Sequence, residues 1–366
     1  MYFDLFLPFP VVEPDQPKKK NNKGKNKQNA QQTATVDRQE VGRKSCWDGL
    51  RSEEKDAIAR DIALTGHLGY SVAGLTIPAD PSSSILPSPF STGVPYPDLD
   101  PRHASSTQAN GSSSTSELQT APGQAATTAR KLNAPIMVQA SRYHLRLDDH
   151  KSHNLTSANA AMLREYDIIS VQPSTDKALQ LACTDLANPG PNQISIITLP
   201  LHEKPYHFRL NRKQMKTAQR NGVMFEILYS PGLFPSPKTP PEVARRYRQN
   251  FLSNAREVIR ITGGKGVILS SGCPLGEIGK RGPLDVINIG TMLGMPANLA
   301  KDAVSLNPKR VLLNAQARRT YKGIFSAPRM VPPPGDEASM PNNEPATGEK
   351  RSASVAVSSN KKTKVQ

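Results

Sequence analysis

Short β-branched or apolar runs alternate with helical stretches along most of this chain, and that alternation limits its fold more than any other feature. The runs are YFDLFL at Tyr2, SVAGLTI at Ser71, YHLRL at Tyr143, DIISVQP at Asp167, QISIITL at Gln193, MFEILYS at Met224 and GVILSSG at Gly266, with RVLLNA at Arg310 as a candidate eighth. A helix is expected from Ser52, where SEEKD supplies a cap and early acids and Ile58, Ile62 and Leu64 mark one face. Helical patterns fill most later gaps: SANAAMLREY, TDKALQLACTDL, RKQMKTAQRNG, PEVARRYRQNFLSNAREVIRITGG, DVINIGTMLG and ANLAKDAVS. About eight strands alternating with helices predict an α/β fold, a TIM-like (β/α) barrel rather than a Rossmann sheet. No GxGxxG follows the first strand, which also argues against a dinucleotide fold.

Three segments interrupt the pattern. Residues 14–45 contain KKKNNKGKNKQNAQQ, too polar to offset their ordering entropy, and are expected to be a disordered Lys-rich insertion. Residues 81–129 form a Ser-, Thr- and Pro-rich tract with no sustained period, and 328–366 a basic tail; both are also expected to be disordered. The barrel is therefore assigned to 1–13, 46–80 and 130–327. The net charge of the whole chain is +16, and these barrel segments keep 31 basic against 21 acidic side chains, or +10. Such an excess on the folded body points to a polyanion, nucleic acid first.

Other chemistries find little support. Cys46, Cys183 and Cys273 are too dispersed for a disulfide scaffold or a CxxC zinc module, and the latter two are expected to be unreactive in a reducing compartment. The opening MYFDLFLPFP is broken by Asp4, Pro8 and Pro10 and lacks the preceding basic residue of a secretory leader. No apolar run approaches the roughly 20 residues of a membrane helix. TGGKG at Thr262 leaves a helix and enters a strand, the reverse of a phosphate loop, so its glycines are expected to cap the helix. Asp148, Asp149, His150 and His153 could ligate a metal, but a solvated charged loop needs no ion. Asp4, Glu226 and His144 could be a phosphoesterase remnant; a buried Asp and Glu paired with His144 or Arg146 in a structural layer is the reading preferred here. No cofactor and no metal is assigned.

The basic residues give the strongest signal. Between Pro205 and Lys265 twelve Lys and Arg face three acids. Arg212, Lys216 and Arg220 fall on one helical stripe beside Lys213, where phosphates would relieve like-charge repulsion; a solvated face is the alternative. Arg245, Arg246 and Arg248 follow, then Lys280 and Arg281 in a loop after a strand, and Arg318 and Arg319 after the last apolar run. Loops after barrel strands gather at the C-terminal face, where barrels bind ligands. Tyr206, Tyr247 and Tyr321 lie among these cations and could stack on bases or pack in the core.

Taken in order, HLGYSVAGLTI, REYDIISVQPSTDKALQLACT, MFEILYSP, GVILSSG, EIGKRGPLDVINIGTMLGM and RVLLNAQARRT resemble the 30-kDa protein subunit family of ribonuclease P and MRP, from about Ser52 to Thr320. The resemblance implies a metal-free relative of polymerase-and-histidinol-phosphatase barrels, a noncatalytic protein beside a catalytic RNA that removes 5′ leaders from precursor tRNA. It also implies service in ribonuclease MRP on ribosomal RNA precursors and a small ferredoxin-like partner subunit. The absence of His-x-His from YFDLFL agrees with a barrel that has lost its metals. The resemblance implies by matching motif that Arg281, Arg318 and Arg319 contact RNA, whereas the same expectation for Arg212, Lys213, Lys216, Arg220, Arg245, Arg246 and Arg248 rests on charge alone. Gly279 and Lys280 stand as an insertion relative to the pattern, and the Lys-rich segment lengthens the first connection. Two basic clusters in the tail, Lys350-Arg351 and Lys361-Lys362-Thr363-Lys364, predict import into the nucleus, with the nucleolus as a further destination. The run Lys18 to Lys27 is a rival signal or a second RNA-binding arm. A metal-dependent phosphoesterase and a scaffold for proteins alone are the competing functions.

Overall fold

The computed structural model describes residues 1–10, 47, 50–81, 85–90, 93–101, 137–148, 153–203, 210–277 and 279–319. Seven strands form one sheet in sequence order, every neighbouring pair parallel. They are β1 (Phe3–Pro8), β2 (Val72–Ala79), β3 (Val138–Leu147), β4 (Ile168–Pro173), β5 (Ile196–Leu199), β6 (Met224–Leu228) and β7 (Val267–Ser270). The longer helices are α1 (Ser52–His67), α2 (Asp176–Cys183), α3 (Arg212–Arg220), α4 (Pro241–Thr262), α5 (Pro283–Met292), α6 (Ala297–Val304) and α7 (Leu306–Arg319). The sheet curls into a nearly closed TIM-like barrel. Among the described residues no helix is long and apolar enough to cross a membrane.

Period-two alternation explains how the strands serve two cores. Ala73, Leu75, Tyr143, Leu145, Ile169, Ile197, Phe225, Ile227 and Leu269 join Ile58, Ile62, Leu179, Val258, Val286 and Val304 in the layer between sheet and helices. Phe3, Leu5, Val72, Ile168, Ile196, Met224 and Ile268 form a separate inner cluster at the N-terminal ends of the strands, sealed by Val311 of α7. RVLLNA is therefore not an eighth strand. Pro308 near the helix start and the run of good helix formers after it favour α7, and its burial beneath the inner cluster fixes that choice.

Above the inner cluster the barrel holds a polar layer. Arg142, fully buried, gives Nη1 and Nη2 to Glu226 Oε1 and Oε2 at 2.7 and 2.5 Å, Nε to Ser170 Oγ at 2.8 Å and Nη1 to the Leu5 carbonyl at 2.9 Å. Thr198 and Ser270 donate to the same carboxylate, each at 2.7 Å. Burial alone would raise the Glu226 carboxyl; Arg142 and these hydroxyls hold it below the usual carboxylate range. The layer expected to join Asp4 and Glu226 to His144 or Arg146 forms around Glu226 alone, with Arg142 as its cation, while Asp4 bonds the Ser271 N–H. Arg146 emerges two residues pairs further along β3, exposed and paired with Asp148 at 3.0 Å. Gly74 makes room at this level, because a Cβ there would meet the Leu5 carbonyl oxygen at 2.5 Å.

No β1–β7 ladder exists among the described residues. Asp4 Oδ1 instead accepts from the Ser271 N–H at 3.1 Å, and Ser271 Oγ donates to the Phe6 carbonyl at 3.3 Å. Past β7 the chain crosses this seam towards α1.

The tract expected to be disordered from residue 81 is part of the core at its start. Ile85, Tyr96 and Leu99 are buried, Gln139 bonds both backbone groups of Tyr96, and the Met137 N–H donates to the Leu99 carbonyl at 2.6 Å. These apolar residues pack from irregular chain and a single 3-10 turn, Pro97–Leu99, so they left no period in the sequence. The Lys-rich insertion, residues 102–129 and the tail from 328 lie outside the described residues.

Candidate nucleic-acid interface

Helices α3 and α4 begin just beyond the C-terminal ends of the adjacent strands β5 and β6. Asn211 Oδ1 caps α3 by accepting the Lys213 N–H at 2.9 Å; Met215 and Ala218 face inward, leaving Arg212, Lys213, Lys216 and Arg220 exposed. No acid stands in the first turn of α3, so Arg212 and Lys213 face the positive end of the helix dipole, an arrangement that an anion would relieve. On α4, Ala244, Phe251, Ala255 and Val258 are buried while Arg245, Arg246 and Arg248 are exposed. Asn254 Nδ2 donates to the Leu201 carbonyl at 2.8 Å, and the His202 and Tyr247 rings meet edge-on at 5.3 Å, tying the middle of α4 to the chain beyond β5. Five cations thus stand at two neighbouring helix starts. Arg220 lies at the far end of α3.

Lys280 and Arg281 follow β7 as expected; the contacts of Lys280 cross the seam to α1, whereas Arg281 also meets the chain just past β6. Lys280 is buried; its Nζ meets Asp61 Oδ2 at 2.5 Å and Thr65 Oγ1 at 3.1 Å, both on α1. Burial raises the Asp61 carboxyl and Lys280 pulls it back. Arg281 is half-buried, its guanidinium 4.2 Å over the Phe234 ring. Among the described residues no carboxylate lies within ion-pair distance of it.

Arg318 and Arg319 stand at the opposite end of the barrel from the rim, because they close helix α7 and not a strand. Arg318 is 9% exposed, and its guanidinium donates to the carbonyls of Leu163 at 3.1 Å and Tyr166 at 2.8 Å. Burial, then the neighbouring Arg319, lowers its pKa to about 10. Its expected RNA contact is replaced by an internal one. Arg319 pairs with Asp167.

The remnant expected of a phosphoesterase is not assembled. Asp4 serves the seam, with burial outweighing Lys280 and Ser271 to raise its carboxyl. Glu226 is consumed by Arg142. His144 contacts Ser170 Oγ at 2.9 Å and is driven down to about 4 by burial and by Arg142. Among the described residues no group of three His, Cys, Asp or Glu could hold a metal ion. Asp148 is taken by Arg146 and Ser174; Asp149 and His150 lie outside the described residues, as do Cys46, Tyr206 and Tyr321. Cys183 and Cys273 are buried thiols raised by that burial, Cys183 to about 12. Gly263 at φ 67° and Gly264 at φ 71° end α4, as the reading of TGGKG predicts.

A family model described as RNase P subunit p30 matches residues 50–320. The chain belongs to this family. Mouse ribonuclease P protein subunit p30 is 35% identical over 211 residues, 57% of this chain and 71% of that protein. The probable ribonuclease P protein subunit 3 of Schizosaccharomyces pombe is 30% identical over 164 residues, 44% of this chain and 63% of its own length. Ribonuclease P/MRP protein subunit RPP1 of Saccharomyces cerevisiae is 28% identical over 179 residues, 49% and 54%. The chain thus spans less than two thirds of either yeast relative. The matched region takes in every p30-like segment noted in the sequence, including the EIGKRGPLD stretch that carries Lys280 and Arg281. Sequence reasoning missed Arg142, Asp61, Tyr70, Tyr229 and Phe234 as site-forming residues. The two tyrosines sat in plain view inside HLGY and MFEILYSP.

Proposed function

We propose that this chain is a noncatalytic, RNA-binding protein subunit of ribonuclease P, supporting removal of 5′ leaders from precursor tRNA by a catalytic RNA. The observation that carries the proposal is the exposed set Arg212, Lys213, Arg245, Arg246 and Arg248 at two adjacent helix starts of a p30-family barrel. Cations so placed neutralise phosphates, release counterions and let RNA strands approach one another. Service in ribonuclease MRP, with processing of ribosomal RNA precursors, is part of the proposal and draws on the name of the budding-yeast relative. A small ferredoxin-like subunit is the proposed protein partner. Location in the nucleus and nucleolus follows from Lys350, Arg351, Lys361, Lys362 and Lys364 acting as a two-part import signal.

Sequencing the RNA that copurifies with a tagged full-length chain tests the proposal: one or both of the two ribonucleoprotein RNAs should dominate. Recovery of other proteins without RNA would replace it with a protein scaffold. Cleavage of precursor tRNA by the RNA-free protein in magnesium, abolished by Asp4→Ala, would replace it with a phosphoesterase.

A further inference from the structure

Two phenols converge on the backbone of one residue. The Arg281 N–H donates to Tyr229 Oη at 3.0 Å, and the Arg281 carbonyl accepts from Tyr70 Oη at 3.0 Å. Tyr229 follows β6 and Tyr70 precedes β2, so groups far apart in sequence fix the peptide on either side of a single side chain. The preceding residue is fastened as well, by the buried Lys280–Asp61 pair. Before it, Gly279 passes so close to the chain beyond β6 that a Cβ would meet Ser230 Oγ at 2.1 Å. Burial raises both phenols, Tyr70 with help from Tyr229 and Asp4, and Tyr229 with help from Asp4, so they stay protonated.

Such fastening exceeds what a loop needs to cross a seam. A solvated arginine carries much rotamer entropy, most of which is lost on forming a contact. Arg281 has its backbone held and its guanidinium laid on Phe234, which removes much of that freedom beforehand. Stacking uses the face of the guanidinium and leaves its N–H edge for an acceptor. With no carboxylate in reach among the described residues, the acceptor that fits is a phosphate from outside.

We propose that Tyr70 and Tyr229 are positioning residues that present Arg281, pre-oriented on Phe234, to an RNA phosphate. This rests on the RNA-binding reading above and assigns the phenols a role in affinity beyond folding. The test measures binding of a fluorescently labelled RNA stem-loop to the full chain in four forms: wild type, Tyr70→Phe/Tyr229→Phe, Arg281→Ala, and the combination. Arg281→Ala should lower the slope of log affinity against log salt by about 0.7 to 0.9, one phosphate contact. The Phe pair, which keeps ring packing and every charge, should weaken binding several-fold. It should have no further effect once Arg281 is alanine. Thermal melting accompanies each form; where the pair melts early, Tyr70→Phe alone carries the comparison, since it removes the bonds to the Arg281 carbonyl and to the Tyr229 phenol and leaves Tyr229 Oη to accept the Arg281 N–H.

An equal loss from the Phe pair with and without Arg281 would overturn the proposal, because the phenols would then act on the fold. No loss from the Phe pair would overturn it too. Binding unchanged by Arg281→Ala, in a chain that otherwise binds the stem-loop steeply with salt, removes Arg281 while leaving the RNA-binding reading intact. A wild-type chain that does not bind the stem-loop overturns both.

Discussion

The helix starts of α3 and α4 and the end of α7 are both basic on paper and opposite in use. At α7, Arg318 is surrounded by backbone carbonyls and Arg319 is matched by Asp167, so the protein's own oxygens consume both charges. At α3 and α4, Arg212, Lys213, Arg245, Arg246 and Arg248 project from helices whose buried faces are apolar. The lesson is that a charge count locates cations, while the oxygens already spent on them decide which remain for a partner.

The largest test of that contrast replaces all five helix-start cations with alanine. Stem-loop RNA binding should lose about 3.5 to 4.5 units of salt slope if each contacts one phosphate, with little change in melting, because exposed substitutions generally stay within about 0.5 kcal/mol each. An unchanged slope would make this face a solvated one. Arg318→Ala should behave in the reverse way: stability falls by about 3 to 5 kcal/mol in chemical denaturation, since charge-assisted bonds are lost and carbonyls are left buried, while the salt slope of the folded protein stays as it was.

Lys280→Met sharpens the comparison within the seam. It strands the Asp61 carboxylate, costing about 3 kcal/mol at neutral pH. The Asp61 pKa is already raised above 3.8, and loss of Lys280 raises it further. The folded state then binds a proton more readily than the unfolded one, so the variant's deficit should shrink as pH falls from that raised value towards 3.8. A deficit independent of pH in urea titrations would mean that the cost is packing. Arg319→Ala is the smallest case. Its pair with Asp167 is partly solvated, so under about 1 kcal/mol should separate the variant from wild type in the same titrations.

Most of the barrel was legible because strands covered on both faces leave apolar runs, and seven of the eight runs are strands. RVLLNA misled because four apolar residues in six look alike in a buried strand and at a helix surface; Pro308 and the Ala, Gln and Arg that follow were the usable signals. The inner ion pair shows another limit. Arg142, His144 and Arg146 share one face of β3, and parity cannot say which of them lies deepest. Depth depended on where the strand begins, and β3 begins at Val138, five residues before the YHLRL run. For the site, exposure of the α3 and α4 cations followed from helical period. The fate of Arg318 did not, since its partners are carbonyls from Leu163 and Tyr166, which no sequence pattern marks as acceptors.

The seam between β1 and β7 carries a kinetic consequence. Asp4 and Ser271 lie 267 positions apart, so the bond between them closes almost the longest loop the barrel possesses. Loop-closure entropy makes such a contact a late one, formed after the more local βα pairings have assembled most of the cylinder. Asp4, a residue whose type invites a catalytic reading, therefore belongs to the timing of folding: a chain emerging from the ribosome holds its first strand without that partner until β7 has followed.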